Sequence, residues 1–277
     1  MKKIGIATLL LFCIGCNQNP TSETITPTDP AAVSTPALPF FVQNSFPHDP
    51  SLFVEGFFVK DGLFYESTGA PVEFPDTRSQ IGLMDIKTGK FSAKAELDRK
   101  IYFGEGIAIV KDKLYQLTYK NQQGFIYDAA TFKKLGDFKY ANSEGWGLTT
   151  DGGLLIMSDG TAKLTWLDPA AMKPVKTVQV TENGAPLSQI NELEFINGLI
   201  YANVWQTNFI VQIDPETGKV IGKMDLSNIV TEQLKDNPDA QELNGIAYNN
   251  ETKKLYVTGK MWSKIYELDL PALKAKN

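Results

Sequence analysis

Apolar residues in this chain come in short bursts separated by glycine, asparagine and aspartate turns, and only residues 228–235 carry a 3.6-residue period. Three kinds of burst recur in fixed order. The first opens on a polar residue beside glycine or an apolar residue: Phe53-Val54-Glu55-Gly56-Phe57, Phe103-Gly104-Glu105-Gly106-Ile107, Ser143-Glu144-Gly145-Trp146-Gly147, Asn191-Glu192-Leu193 and Leu243-Asn244-Gly245-Ile246. The second is an apolar-aromatic strand, as in Leu63-Phe64-Tyr65, Leu114-Tyr115, Leu154-Leu155-Ile156, Leu199-Ile200-Tyr201 and Leu255-Tyr256. The third closes on an acid: Asp85, Asp128, Asp168, Asp214 and Asp269. Turn sequences such as Lys87-Thr88-Gly89 and Pro215-Glu216-Thr217-Gly218 follow, which assigns Asp85, Asp128, Asp168 and Asp214 to turns.

Short strands at this spacing predict an all-β array of five repeats. Residues 39–277 divide into units of about 48 residues, the length of a propeller blade. The fifth unit ends after three strands, and Phe40-Phe41-Val42-Gln43-Asn44 precede the first. The expected fold is therefore a five-bladed β-propeller whose last blade is closed by an N-terminal strand, an arrangement that leaves no open sheet edge at the seam. In a propeller the first strand of every blade lines the axis, so Glu55, Glu105, Glu144 or Trp146, Asn191 and Asn244 should form a ring. The ends of the second strands, Glu66, Tyr119, Asp159, Trp205 and Lys260, should stand beside it. Channel walls need polar groups merely to hold water. An acid, an amide, a cation and two tryptophans converging on one place have the composition of a small-molecule site.

Composition narrows the setting. The chain is 43% hydrophobic and 11% aromatic over 277 residues, ample for a large core. Its formal charge of −5 becomes −7 without Lys2 and Lys3, and no basic cluster exists, which argues against a nucleic-acid partner. Lys2 and Lys3 precede an apolar run from Ile4 to Ile14 that is too short for a lasting membrane span. Ile14-Gly15-Cys16 resembles the end of a bacterial lipoprotein signal, with Cys13 where leucine is usual. Residues 1–16 are thus expected to be a signal peptide with Cys16 the lipidated residue, and an ordinary secretory peptide is the alternative. Residues 17–38, rich in Thr, Pro, Ser and Ala, read as an extended tether, and residues 39–277 as the propeller. The expected product is an exported, membrane-anchored monomer.

Longer motifs carry a more specific likeness. Phe103-Gly104-Glu105-Gly106, Gln116-Leu117-Thr118, Glu144-Gly145-Trp146-Gly147-Leu148-Thr149, Ser158-Asp159-Gly160, Asn191-Glu192-Leu193-Glu194, Asn203-Val204-Trp205-Gln206, Leu243-Asn244-Gly245-Ile246-Ala247 and Val257-Thr258-Gly259-Lys260 strongly resemble glutaminyl cyclases of the plant and bacterial type. Pro47-His48-Asp49-Pro50 and Tyr65-Glu66-Ser67-Thr68-Gly69 fit the same pattern, so the likeness spans roughly residues 45–269. It implies a five-bladed propeller that turns the N-terminal glutamine of peptides into pyroglutamate and releases ammonia. It implies that Glu105 is the acid/base, that Asn191 and Lys260 bind substrate and steady charge, and that Trp146 and Trp205 wall the pocket. Tyr119, Glu55, Phe53 and Phe103 complete the expected substrate-binding set. Glu55, Tyr119 and Gly82 stand where that family usually has glutamine, tryptophan and a nearby arginine.

The chemistry asks for such a set. An α-amine must lose a proton as it attacks the side-chain amide, and the departing nitrogen must gain one. One carboxyl group can serve both steps if its pKa is lifted from about 4.3 by roughly 2 pH units, worth about 2.7 kcal/mol. Burial between aromatic walls provides that lift. No cofactor is required. One histidine and two leader cysteines supply no zinc constellation, which leaves a metal-dependent hydrolase without ligands; a structural cation on channel carbonyls is compatible with the sequence. His48 is expected to be structural, Asp159-Gly160 a turn, and Glu66 either a turn acceptor or a site residue. The competing reading is a non-catalytic surface propeller that binds a peptide or glycan.

Overall fold

The computed structural model describes residues 34–274. The leader, Cys13, Cys16 and residues 17–33 of the expected tether lie outside the described residues, so those expectations are not addressed by the fold. Five four-stranded antiparallel sheets follow one another along the chain. Their innermost strands are Phe53–Lys60, Gly104–Val110, Leu148–Thr150, Ile190–Ile196 and Leu243–Asn249. The fifth sheet takes its outermost strand, Phe41–Pro47, from the start of the fold and pairs it with Lys264–Asp269. This is the five-bladed propeller with the expected N-terminal closure.

Burial grades outward through each blade. Gly104–Val110 and Leu243–Asn249 are buried along their whole length, whereas outermost strands such as Lys90–Glu96 and Lys173–Gln179 are mostly exposed. That gradient explains why inner strands read as continuous apolar runs. Five apolar clusters fill the spaces between neighbouring blades. The fifth joins Val54, Phe57 and Phe64 of the first blade to Ala247, Tyr256 and Ile265 of the last, so packing as well as strand pairing closes the ring. The aspartates after the third strands behave as expected. Asp85, Asp128, Asp168 and Asp214 each accept hydrogen bonds from backbone N–H groups two and three residues on. The 3.6-residue period at 228–235 corresponds to a helix, Ser227–Asp236.

The seam carries a buried ion pair. His48 Nε2 lies 3.1 Å from Glu66 Oε2, and His48 Nδ1 donates to the Trp262 carbonyl at 2.7 Å. His48 is structural, as expected, and Glu66 is its partner rather than a group of the site.

The tether boundary needs correction. Lys223 N donates to Pro36 O at 2.9 Å and Leu38 N to Lys223 O at 2.8 Å, so residues 36–38 lie along the open edge of Val220–Asp225. Leu38 covers Gly222, where a Cβ would stand 2.7 Å from the leucine Cγ. Thr35 adds a hydrogen bond to Glu182 at 2.8 Å. An exposed blade edge offers unpaired N–H and C=O groups, and these residues take them.

Candidate active site

The polar openings of four of the five inner strands are β-bulges. In the first blade Val54 faces Thr68 and Gly56 faces Ser67, leaving Glu55 as the extra residue. The registers likewise jump across Glu105-Gly106, Asn191-Glu192 and Asn244-Gly245. A bulge turns a side chain out of the regular alternation, here toward one end of the axis. In the first, second and fifth blades glycine stands beside it because neighbouring inner strands almost touch. A Cβ on Gly106 would lie 2.4 Å from Leu148 N, and Gly106 N donates to Trp146 O at 2.8 Å. Second-strand polar residues lock the bulged backbone: Ser67 Oγ donates to Glu105 O, Ser158 Oγ donates to Asn191 O, and Asn203 Oδ1 accepts from Gly245 N.

Ten residues line a cavity of about 210 Å³ at this end: Phe53, Glu55, Pro71, Phe103, Glu105, Tyr119, Trp146, Asn191, Trp205 and Lys260. Nine of them are the residues singled out above, brought from four inner-strand openings and three second-strand ends. Rings form a continuous wall, with Phe53 and Phe103 6.1 Å apart, Phe103 and Tyr119 5.9 Å, Tyr119 and Trp146 6.4 Å, and Trp146 and Trp205 5.5 Å and nearly perpendicular. Such edge-to-face contacts hold the wall rigid. Trp146, not Glu144, faces the cavity, and Glu144 accepts the indole Nε1–H at 2.9 Å.

Charge is concentrated against that wall. Lys260 Nζ is 2.9 Å from Glu55 Oε1 and sits 4.7 Å over the Phe53 ring. Asn244 Nδ2 donates to Glu55 Oε2 at 3.2 Å and to Val54 O at 2.9 Å, so Asn244 supports the site from behind without lining it. Glu105 is 5% exposed. Burial pushes its pKa well above the ordinary value, and the Glu55 charge pushes the same way while Lys260 opposes both. Burial also lifts Glu55, against the pull of Lys260, to about 7. Burial disfavours the Lys260 ammonium, but Glu55 and then Glu105 more than offset it, and the amine pKa ends above its ordinary value. Asn191 is buried, and its Oδ1 has no hydrogen-bond partner among the described residues.

Other ring candidates are elsewhere employed. Asp159 accepts from Thr161 and Asn142 in a turn, as expected. Gly82 packs under Phe91, away from the cavity. Sequence reasoning missed Pro71, which belongs to an insertion without counterpart in the other blades. It also missed Glu192, whose oxygens accept Phe57 N at 3.2 Å and Ile246 N at 2.9 Å and tie three inner strands together near the axis. Its place beside Asn191 in a bulge was the available signal. Among the described residues no group of three or more His, Cys, Asp or Glu side chains gathers as a metal site.

The profile of the Glutamine cyclotransferase family matches residues 9–270. The chain belongs to the glutamine cyclotransferase family. It is 37% identical over 234 residues to a glutaminyl-peptide cyclotransferase of Arabidopsis thaliana, covering 84% of this chain and 71% of that protein. It also resembles the crystal structure of Myxococcus xanthus glutaminyl cyclase, with a TM-score of 0.74 and 32% identity over 83% of this chain and 96% of that one. The likeness to that glutaminyl cyclase structure agrees with the closed five-blade count.

Proposed function

We propose that this protein is a glutaminyl-peptide cyclotransferase that converts the N-terminal glutamine of peptides or proteins to pyroglutamate, with Glu105 as general acid/base. The observation that carries the assignment of roles is a buried Glu105 with a raised pKa, facing a lysine–carboxylate pair inside an aromatic pocket. That pocket is smaller than the roughly 300–1,000 Å³ typical for drug-sized ligands, a fit for one terminal side chain.

The free α-amine enters beside Glu105. Its own pKa is near 7.7–8.0, so raising the carboxyl pKa narrows the gap between the two groups and eases proton exchange between them. Glu105 takes a proton from the amine as its nitrogen bonds to Cδ of the side-chain amide. The former carbonyl oxygen becomes negative and is steadied by Lys260, with the Asn191 amide holding the substrate's amide group. Glu105 then returns the proton to the amide nitrogen as the C–N bond breaks. Pyroglutamyl peptide and ammonia leave, and the carboxyl group is restored. Trp146, Trp205, Tyr119, Phe53 and Phe103 exclude water and hold the glutamine in a cyclising conformation.

Glu105→Gln should fold normally, by circular dichroism, and lose turnover by at least about 100-fold, the lower range for removing a general acid/base. Ammonia release from a glutaminyl peptide is the assay; turnover equal to that of the parent would end the assignment.

The reading extends to location. Residues 1–16 act as a lipoprotein signal, with lipid on Cys16, and the protein works as an exported monomer. Support for the anchor comes from the Lys2-Lys3 start, the short apolar run and Ile14-Gly15-Cys16. Cys16→Ser should move the protein from the membrane to the soluble fraction on ultracentrifugation, and a mutant that still sediments with membranes would refute the anchor.

A further inference from the structure

A peptide whose terminal amine reaches Glu105 must leave through the mouth of the pocket, so the residue after glutamine passes its lip. Two loops that adjoin pocket-lining residues in the chain carry exposed apolar side chains. Val72 is 87% exposed and Ile101 58%. Other exposed apolar residues, such as Leu135, Val175 and Ile221, stand on outermost blade strands. Val72 follows the pocket-lining Pro71, and Phe74 two residues on packs on Phe53 of the pocket at 6.0 Å. Ile101 lies two residues before Phe103, and its carbonyl accepts from Asn121, two residues after Tyr119.

Arg99 fastens the two loops. Its guanidinium donates to the carbonyls of Pro71, Pro75 and Thr77, so the loop that carries Val72 is tied to the turn that carries Ile101. Those bonds fix the backbone of the loop around Val72, so less of its ordering is left to be paid on binding.

We propose that Val72 and Ile101 form an apolar subsite for the side chain that follows the N-terminal glutamine, which makes them specificity-determining residues for the cyclisation. This rests on the cyclotransferase reading above. Neither residue touches the reacting atoms. Their contribution is uniform binding, which changes KM and leaves kcat alone.

The test uses the full chain and three peptides, Gln-Leu-Gly, Gln-Asn-Gly and Gln-Gly-Gly, with ammonia release as the readout. Leucine and asparagine are similar in size and differ in polarity. The parent should favour leucine over asparagine about fivefold in kcat/KM, less than an enclosed pocket delivers because the lip is open. The double variant Val72→Ser/Ile101→Ser should bring that ratio near one through a higher KM for the leucine peptide, with the glycine peptide within about twofold of the parent. A parent that treats leucine and asparagine alike overturns the subsite, as does a variant that keeps the preference or loses all three peptides equally. A parent that cyclises none of the peptides instead overturns the cyclotransferase reading, and the subsite falls with it.

Discussion

At the scale of single residues, burial raises the pKa of Glu105, and the pairing of Lys260 with Glu55 adjusts it further. Anionic Glu55 raises the pKa of Glu105 directly and also occupies the lysine that would lower it. The two carboxyl groups titrate as one system, so each apparent value belongs to the pair. Glu55→Gln removes the like charge and frees Lys260 to act on Glu105 alone. Both changes lower the pKa of Glu105, and the loss of Glu55 also lowers that of Lys260. The acidic limb of kcat/KM against pH should therefore move down by about one pH unit, an energy of about 1.4 kcal/mol, with activity retained. An acidic limb that stays in place or moves up would show that Glu55 does not govern Glu105.

At the scale of elements, the repeated bulge explains why so much of the site could be read from one chain. A glycine beside a polar residue at the start of an inner strand marks both the close approach of blades and the direction of the side chain. Glu55, Glu105 and Asn244 shared that mark, Asn191 was found by its matching place in the fourth repeat, and topology then placed Tyr119, Trp205 and Lys260 beside them. What the repeat cannot express is whatever belongs to one blade only. Pro71 and Val72 sit in an insertion between second and third strands that has no equivalent, so no spacing pointed to them. The hydrogen bond from Asn244 to Glu55 joins the fifth blade to the first, and only ring closure makes those neighbours. Residues 35–38 were hidden differently. Their composition is that of a linker, and the open edge of Val220–Asp225 gives them order that composition does not encode.

At the scale of the whole molecule, the ring is held at its seam by His48 as well as by Phe41–Pro47. Burial disfavours a charged imidazole there, and Glu66, by charge and hydrogen bond, reverses that cost and leaves the pKa above the ordinary 6.5. A pKa raised by folding means that the native state binds the proton more tightly than the unfolded chain. The stability this contributes is fully present below about pH 6.5, the unfolded value, and is lost as pH rises through the higher native value. His48→Gln keeps a donor for the Trp262 carbonyl and removes the charge that balances Glu66. Breaking a buried pair costs about 3–5 kcal/mol, so the variant should melt roughly 6–20 °C below the parent at pH 6, given about 2–4 °C per kcal/mol for a domain of this size. The gap should narrow steadily toward pH 9 as the parent's own imidazole loses its proton. Thermal melts of both proteins across that range are the measurement. A gap that is constant or widens with pH would mean that the seam is held by packing and strand pairing alone, with His48 neutral throughout.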